Sequence, residues 1–282
     1  MEKILIYGGG NMGSVYAKTI SEYYHDKDTV FIVEKHQENL DRLRSEGFAC
    51  GNTIPDNFDT FTSIILAIKP QDFPSIVNTL AENIKFSQWV ISIMAGVQTS
   101  MISKHLNHQK IVRTMPNLAI PHQQGMIGYY FPFKHLITEK ERSNIIKILS
   151  LGGETIEVDH EDDINAITAL SGSGPAYFFY IVQKMEQAAR SFGFSSNESR
   201  LLALQTMKGA LSVLENSPEG CESLIKMVSS RGGTTEAAFQ IFNQREVGDN
   251  FIDGIKRANE RADEMGQELT NFISNKLSGA GY

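Results

Sequence analysis

The chain is poor in the features that mark secreted, membrane-spanning or nucleic-acid-binding proteins. Its only cysteines, Cys50 and Cys221, stand far apart in no CxxC pattern, which points to a reducing compartment rather than a disulfide framework. No apolar run approaches the ~20 residues that a membrane helix needs. Met1-Glu2-Lys3 leads into a strand pattern with no signal-peptide pattern ahead of it, so the cytoplasm is the expected location. Basic charge is also in short supply. With 26 Lys and Arg against 33 Asp and Glu, the net charge is -7, and nucleic acid is not an expected partner. The seven histidines, among them His105, His108, His122, His135 and His160, show neither metal-ligand spacing nor a nucleophile motif, so no metal is expected.

What is present is an ordinary globular composition, 41% hydrophobic and 21% charged over 282 residues, long enough to predict two domains. Short apolar β-branched runs at 3–7, 29–33, 63–67, 89–93 and 110–114 alternate with helical stretches. Near-continuous apolar strands of this kind belong to a parallel sheet covered on both faces. A strand at 126–131, a helix at 138–150 and a last strand at 154–158 follow. From Asp159 onward the period becomes 3.6, predicting helices at 175–192, 199–216, 221–228, 234–242 and 247–277. The expected architecture is therefore an α/β domain with a mainly parallel sheet over 1–159, followed by an all-α domain over 160–282. The apolar helix faces of the second domain predict packing against a second copy of the chain. Asp159, Glu161, Asp162 and Asp163 resemble a metal cluster, but acidic residues opening a helix offset its dipole, and that is the preferred reading. Residues 277–282 read as a frayed tail.

Three segments carry chemistry. Gly8-Gly9-Gly10-Asn11-Met12-Gly13 follows the first strand and opens a helix. That is the dinucleotide fingerprint: Gly8 for the tight turn, Gly10 for close approach of the pyrophosphate, Gly13 for helix–strand packing. The second strand ends in Glu34-Lys35-His36. Glu34 would accept from a ribose 2'-hydroxyl, as in NAD enzymes, whereas Lys35 and His36 suit the 2'-phosphate of NADP, so both cofactors stay open. Ala67-Ile68-Lys69-Pro70, Met94-Ala95-Gly96 and Met115-Pro116-Asn117 fall at carboxyl ends of strands, where such sheets bind ligands. In the helical half, Ser171-Gly172-Ser173-Gly174-Pro175 reads as a helix start with N–H groups open to an anion. Ser230-Arg231-Gly232-Gly233-Thr234-Thr235-Glu236 reads as a carboxylate nest or as an ordinary helix cap. Without an evident acid–base histidine or lysine, hydride transfer to an already electrophilic carbon, such as a protonated imine, fits this set of residues.

With these motifs in this order, the chain resembles the pyrroline-5-carboxylate reductases over essentially its whole length. The resemblance implies reduction of the cyclic imine 1-pyrroline-5-carboxylate to proline by NADPH or NADH, the last step of proline synthesis. It implies an α/β Rossmann domain over 1–159 followed by a helical dimerisation and substrate-binding domain over 160–282 that interlocks with a partner subunit, giving a homodimer or a higher homo-oligomer. Residue by residue, it implies Thr235 on the ring nitrogen, with Ser230, Gly232, Gly233 and Thr234 on the substrate carboxylate and Ser173 on the substrate side. It places Gly8, Gly10, Asn11, Met12 and Gly13 at the pyrophosphate and Ala67, Lys69, Ala95 and Asn117 along the nicotinamide, beside Glu34 and Lys35 as read above from the end of the second strand. Arg231 and Glu34 depart from the residues usual in the family. A β-hydroxyacid dehydrogenase would need its lysine on the helix after the interdomain glycines; Lys184 lies there, but Met185 follows it in place of the accompanying asparagine. A nucleotide-binding paralogue without turnover is the remaining alternative.

Overall fold

The computed structural model describes residues 2–278. The sheet strands are β1 (Ile4–Tyr7), β2 (Val30–Val33), β3 (Ala49–Gly51), β4 (Ser63–Leu66), β5 (Trp89–Ser92), β6 (Ile111–Met115), β7 (Gly125–Tyr130) and β8 (Gly153–Glu157). They lie in the order β3-β2-β1-β4-β5-β6-β7-β8. The first six run parallel, β7 is antiparallel to β6, and β8 is parallel to β7. The mainly parallel sheet expected from the apolar runs is thus present, in the Rossmann form that the resemblance implies. The order reverses beside β1, which is flanked by β2 and β4, and this switch point is where such sheets bind ligands.

Alternate residues of each strand serve opposite faces. Ile4, Ile6, Ile32, Ile65, Ile91 and Val112 form one core with Tyr16, Ala17 and Ile20 of helix α1 (Asn11–Tyr24) and Ile145, Ile148 and Leu149 of a second helix (Glu139–Ser150). Leu5, Tyr7, Ile64, Leu66 and Val90 form the other, under α3 (Phe73–Asn83) and α4 (Thr99–Leu106). A one-residue slip of any strand would exchange these faces, which fixes the register of β1 and so the position of the loop that follows it. Helix α2 (Gln37–Ser45) follows β2, and the helix at Glu139–Ser150, α5, is opened by a reciprocal cap between Thr138 and Glu141.

The remaining helices are α6 (Asp163–Ile167), α7 (Gly174–Ser191), α8 (Ser196–Asn216), α9 (Cys221–Val228), α10 (Thr234–Gln244) and α11 (Val247–Ser278). The chain divides into two compact units. One comprises the residues up to Ser173 together with those from Ala258 onward, and the other is Gly174–Arg257. The change of period at Asp159 therefore falls ahead of the unit boundary, and the last part of α11 belongs with the sheet: Ile273 is fully buried in its second core. Residues 277 and 278, expected to fray, close α11; the rest of that tail, 279–282, lies outside the described residues.

The second unit buries little of its own apolar surface. Phe178, Phe179, Leu201, Met227 and Val228 are each at least 60% exposed, large apolar side chains that a partner surface would cover.

Candidate functional site

The glycine loop sits at the carboxyl end of β1. Gly8 adopts φ +100°, and its N–H donates to the Val33 carbonyl at 2.8 Å. A Cβ at Gly8 would lie 2.5 Å from the Ala67 carbonyl oxygen, and one at Gly13 would collide with the carbonyl oxygen of Gly8. Glycine is required at Gly8 by its left-handed φ and the Ala67 carbonyl, and at Gly13 because the first turn of α1 presses on the loop. Gly10 differs: a Cβ there would meet no atom within 4 Å. It is the N-cap of α1, whose first turn no side chain caps, so the first N–H groups of the helix and its positive dipole end are available to an anion.

This loop forms one wall of a cleft of about 720 Å³, with Val33 to His36 on a second side and Ala67, Ile68, Lys69, Asp72 and Ile76 on a third. The predicted residues Gly8, Gly10, Glu34, Lys35, Ala67 and Lys69 all line it. Glu34 is 5% exposed. Its Oε2 accepts from the Gly9 N–H at 2.7 Å and its Oε1 from the His36 N–H at 2.8 Å. Ala95 and Asn117 are not among the cleft's lining residues. The Asn117 Oδ1 accepts from the N–H groups of Ala119, at 3.1 Å, and Met126, at 3.4 Å.

In the second unit, Gly233 caps α10 and Gly232 has φ +73°. Two donors of the expected nest are engaged internally. The Gly232 N–H donates to Glu236 Oε2 at 2.6 Å, and the Gly233 N–H to the Ser230 carbonyl at 2.9 Å. A carboxylate already rests on this turn. Thr234 is exposed, Thr235 is half-buried at the first turn of α10, and Ser230 is exposed. The helix expected from Pro175 is present as α7, but its start is not open as expected, because Thr168–Gly172 forms a π-helical turn just ahead of it and the Ser173 N–H donates back to the Thr168 carbonyl at 2.8 Å. The N–H at Ser173 is therefore bonded within a helical turn and does not open toward an anion. Lys184, the alternative acid–base residue, bonds Gln187 at 3.2 Å and lies over the Tyr180 ring.

Residues 161–265 match the family model for pyrroline-5-carboxylate reductase dimerisation, and residues 3–96 match that for NADP oxidoreductase, coenzyme F420-dependent. A pyrroline-5-carboxylate reductase of Vibrio alginolyticus is 30% identical over 273 residues, covering 94% of this chain and 97% of the relative. The chain belongs to the pyrroline-5-carboxylate reductase family. Pyrroline-5-carboxylate reductase 2 of Bacillus subtilis is likewise 30% identical over 276 residues, with 95% and 97% coverage. Among solved structures, a pyrroline-5-carboxylate reductase from Coxiella burnetii superposes with a TM-score of 0.81 at 28% identity, covering 94% of this chain and 98% of that one. The dimerisation match makes this reductase-family chain a homo-oligomer, in keeping with the exposed apolar surface of its second unit.

Two supports of the reductase fold escaped the sequence motifs. Arg42 of α2 donates to the Gly9 carbonyl at 2.7 Å and to Ser14 Oγ at 2.9 Å, so the glycine loop is held by Glu34 on its N–H side and by Arg42 on its C=O side. The second support is a buried network. Arg113, 2% exposed, pairs with Glu161 at 3.2 Å and bonds Asn165 at 3.0 Å. Glu161 also accepts from the N–H and hydroxyl of Thr99 at 2.7 and 2.6 Å, and Asn165 donates to Asp263 at 2.6 Å. Burial pushes the Arg113 pKa down, against the pull of the nearby Glu161, Asp162 and Asp263 carboxylates. Glu161, half-buried, thus serves as the counterion of the buried Arg113 rather than as an acid at a helix opening. The one signal in the sequence was Arg113 itself, a charge inside the buried run Ile111–Met115 of β6 that requires a counterion.

Proposed function

We propose that the two units divide the reduction of 1-pyrroline-5-carboxylate to proline, the first holding NAD(P)H and the second the imine. Reduced nicotinamide, when bound, supplies the hydride. The observation that carries this reading is Gly10: an uncapped helix N-terminus faces a groove with space left where a side chain would stand, which fits a pyrophosphate. The N–H groups of Asn11, Met12 and Gly13 hold it beside Gly8 and Gly10. Glu34 and Lys35 mark the adenosine end, and Ala67, Lys69, Ala95 and Asn117 the nicotinamide side.

On the imine, the Thr235 hydroxyl orients the ring nitrogen. Ser230 and the N–H groups of Gly232 and Thr234 receive the carboxylate, which displaces Glu236 from Gly232, while the Gly233 N–H keeps the Ser230 carbonyl and shapes the turn; Ser173 contributes on the substrate side. The substrate reacts as an iminium: hydride adds to the imine carbon, the C=N electron pair passes to nitrogen, and no further proton is required. The chain then contributes mainly by holding the reacting carbons about 3–3.5 Å apart, an effect worth up to roughly 7–11 kcal/mol. The oligomer is a homodimer built through the helical unit, working in the cytoplasm.

Thr235→Ala tests the assignment. Turnover falls by about tenfold or more while the Kd for NAD(P)H stays within twofold, and Thr235→Ser restores most of the rate; the loss of one hydrogen bond to a charged group is about 1.5–3 kcal/mol. A Thr235→Ala variant as fast as the parent would refute the role.

A further inference from the structure

The acidic residue that ends β2 is occupied in a way that changes how this site tells its two cofactors apart. Both oxygens of Glu34 are bound by backbone N–H groups, those of Gly9 and His36. Its carboxylate lies against the glycine loop, so that a Cβ on Gly9 would come within 3.3 Å of Oε2. The next side chain, Lys35, is 58% exposed and reaches Asp72, on the turn after β4, at 2.7 Å. Because β2 and β4 both neighbour β1, this ion pair bridges the groove over the end of β1, and both residues line the cleft with His36 and Asn39.

We propose that the Lys35–Asp72 pair sets the preference between NADPH and NADH, and that Glu34 is a positioning residue for the glycine loop which does not select between them. The proposal rests on reading the cleft as the dinucleotide groove. A ribose 2'-hydroxyl leaves the pair intact. A 2'-phosphate, carrying nearly two charges, draws the Lys35 ammonium away from Asp72 and leaves Asp72 as a like charge facing it. Exposed pairs of this kind contribute little stability, so Lys35 can change partners at small cost. Asp72 then acts as a brake on NADPH binding, and Lys35 as its cationic anchor.

The test uses the full chain and two fragments that carry only the adenosine end, adenosine 2',5'-bisphosphate and ADP, with dissociation constants from titration calorimetry beside kcat/KM for NADPH and NADH. Asp72→Asn raises the affinity ratio of bisphosphate to ADP by about three- to tenfold, more at low salt, where screening is weaker. Lys35→Ala lowers that ratio by a similar factor. Glu34→Gln weakens both fragments alike and leaves the ratio within about twofold. A tenfold rise in the ratio for Glu34→Gln would overturn the proposal, as would unchanged ratios for both Asp72→Asn and Lys35→Ala. Should Glu34→Gln fail to fold, the other two variants decide alone. If the parent chain binds neither fragment, the groove reading falls and the proposal with it. The expected ratios in a chain that leaves the imine unreduced would uphold the proposal and overturn only the function.

Discussion

Alanine at position 10 separates what the glycine loop does for folding from what it does for the cofactor. The backbone of Gly10, at φ -70° and ψ -162°, is open to any residue, and the added methyl meets no atom within 4 Å. Restricting the unfolded chain stabilises by about 0.4–1 kcal/mol, while alanine is a poorer N-cap than glycine. These effects offset, so the Tm moves by no more than roughly 2–4 °C. The same methyl occupies the space the pyrophosphate must enter. Losing one charge-assisted hydrogen bond at the helix start costs about 1.5–3 kcal/mol, or about 10- to 100-fold in Kd. Gly13→Ala behaves differently, since its methyl collides with the Gly8 carbonyl oxygen and lowers stability and affinity together. Thermal denaturation and a fluorescence titration with NADPH measure both quantities. Wild-type affinity in Gly10→Ala, or identical behaviour of the two variants, would refute the reasoning.

Glu161→Ala strands the buried Arg113 charge, which is 3% exposed at its side chain, and lowers unfolding stability by about 3–5 kcal/mol in denaturant titrations. For Glu141, burial works to raise the pKa, but the Lys110 ammonium and the N–H and hydroxyl of Thr138 override it and hold the carboxyl at about 2. A depressed carboxylate stabilises above its unfolded value near 4.3 and loses that contribution as the pH falls toward about 2. Glu141→Gln therefore removes part of the acid-side slope of stability between those limits, on the order of 1 kcal/mol once solvent screening of this partly exposed group is counted. Phe179, 60% exposed on α7, lies in the surface assigned to the second copy. Phe179→Asp shifts the mass in sedimentation toward the monomer, and an unchanged mass would place the interface elsewhere.

Strands β1, β2, β4, β5 and β6 were legible because a doubly covered parallel sheet demands apolar residues at nearly every position, and with β7 and the alternating β8 seven runs stand out. The three-residue β3 did not, since Ala49, Cys50 and Gly51 form an edge with half its surface open. Helices of the second unit were legible from their 3.6 period, down to Cys221 opening α9. The π-helical turn at 168–172 was not, because Ser-Gly-Ser-Gly-Pro reads as an ordinary turn by composition, and only the Ser173 N–H reaching back to the Thr168 carbonyl reveals it. At the site, the glycines of the fingerprint announced their own geometry. The direction of the Glu34 carboxylate did not follow from its position at a strand end; it depends on where the Gly9 and His36 N–H groups point. The roles of Arg42 and Arg113 were hidden for the same reason, as each acts through partners 28 to 52 residues away.

The central claim is tested most directly by mixing the purified chain with 1-pyrroline-5-carboxylate and, separately, NADPH or NADH, while following nicotinamide absorbance and proline by chromatography. The account predicts that absorbance falls only when the imine is present, with one proline formed for each nicotinamide oxidised. No imine-dependent oxidation with either cofactor would contradict it.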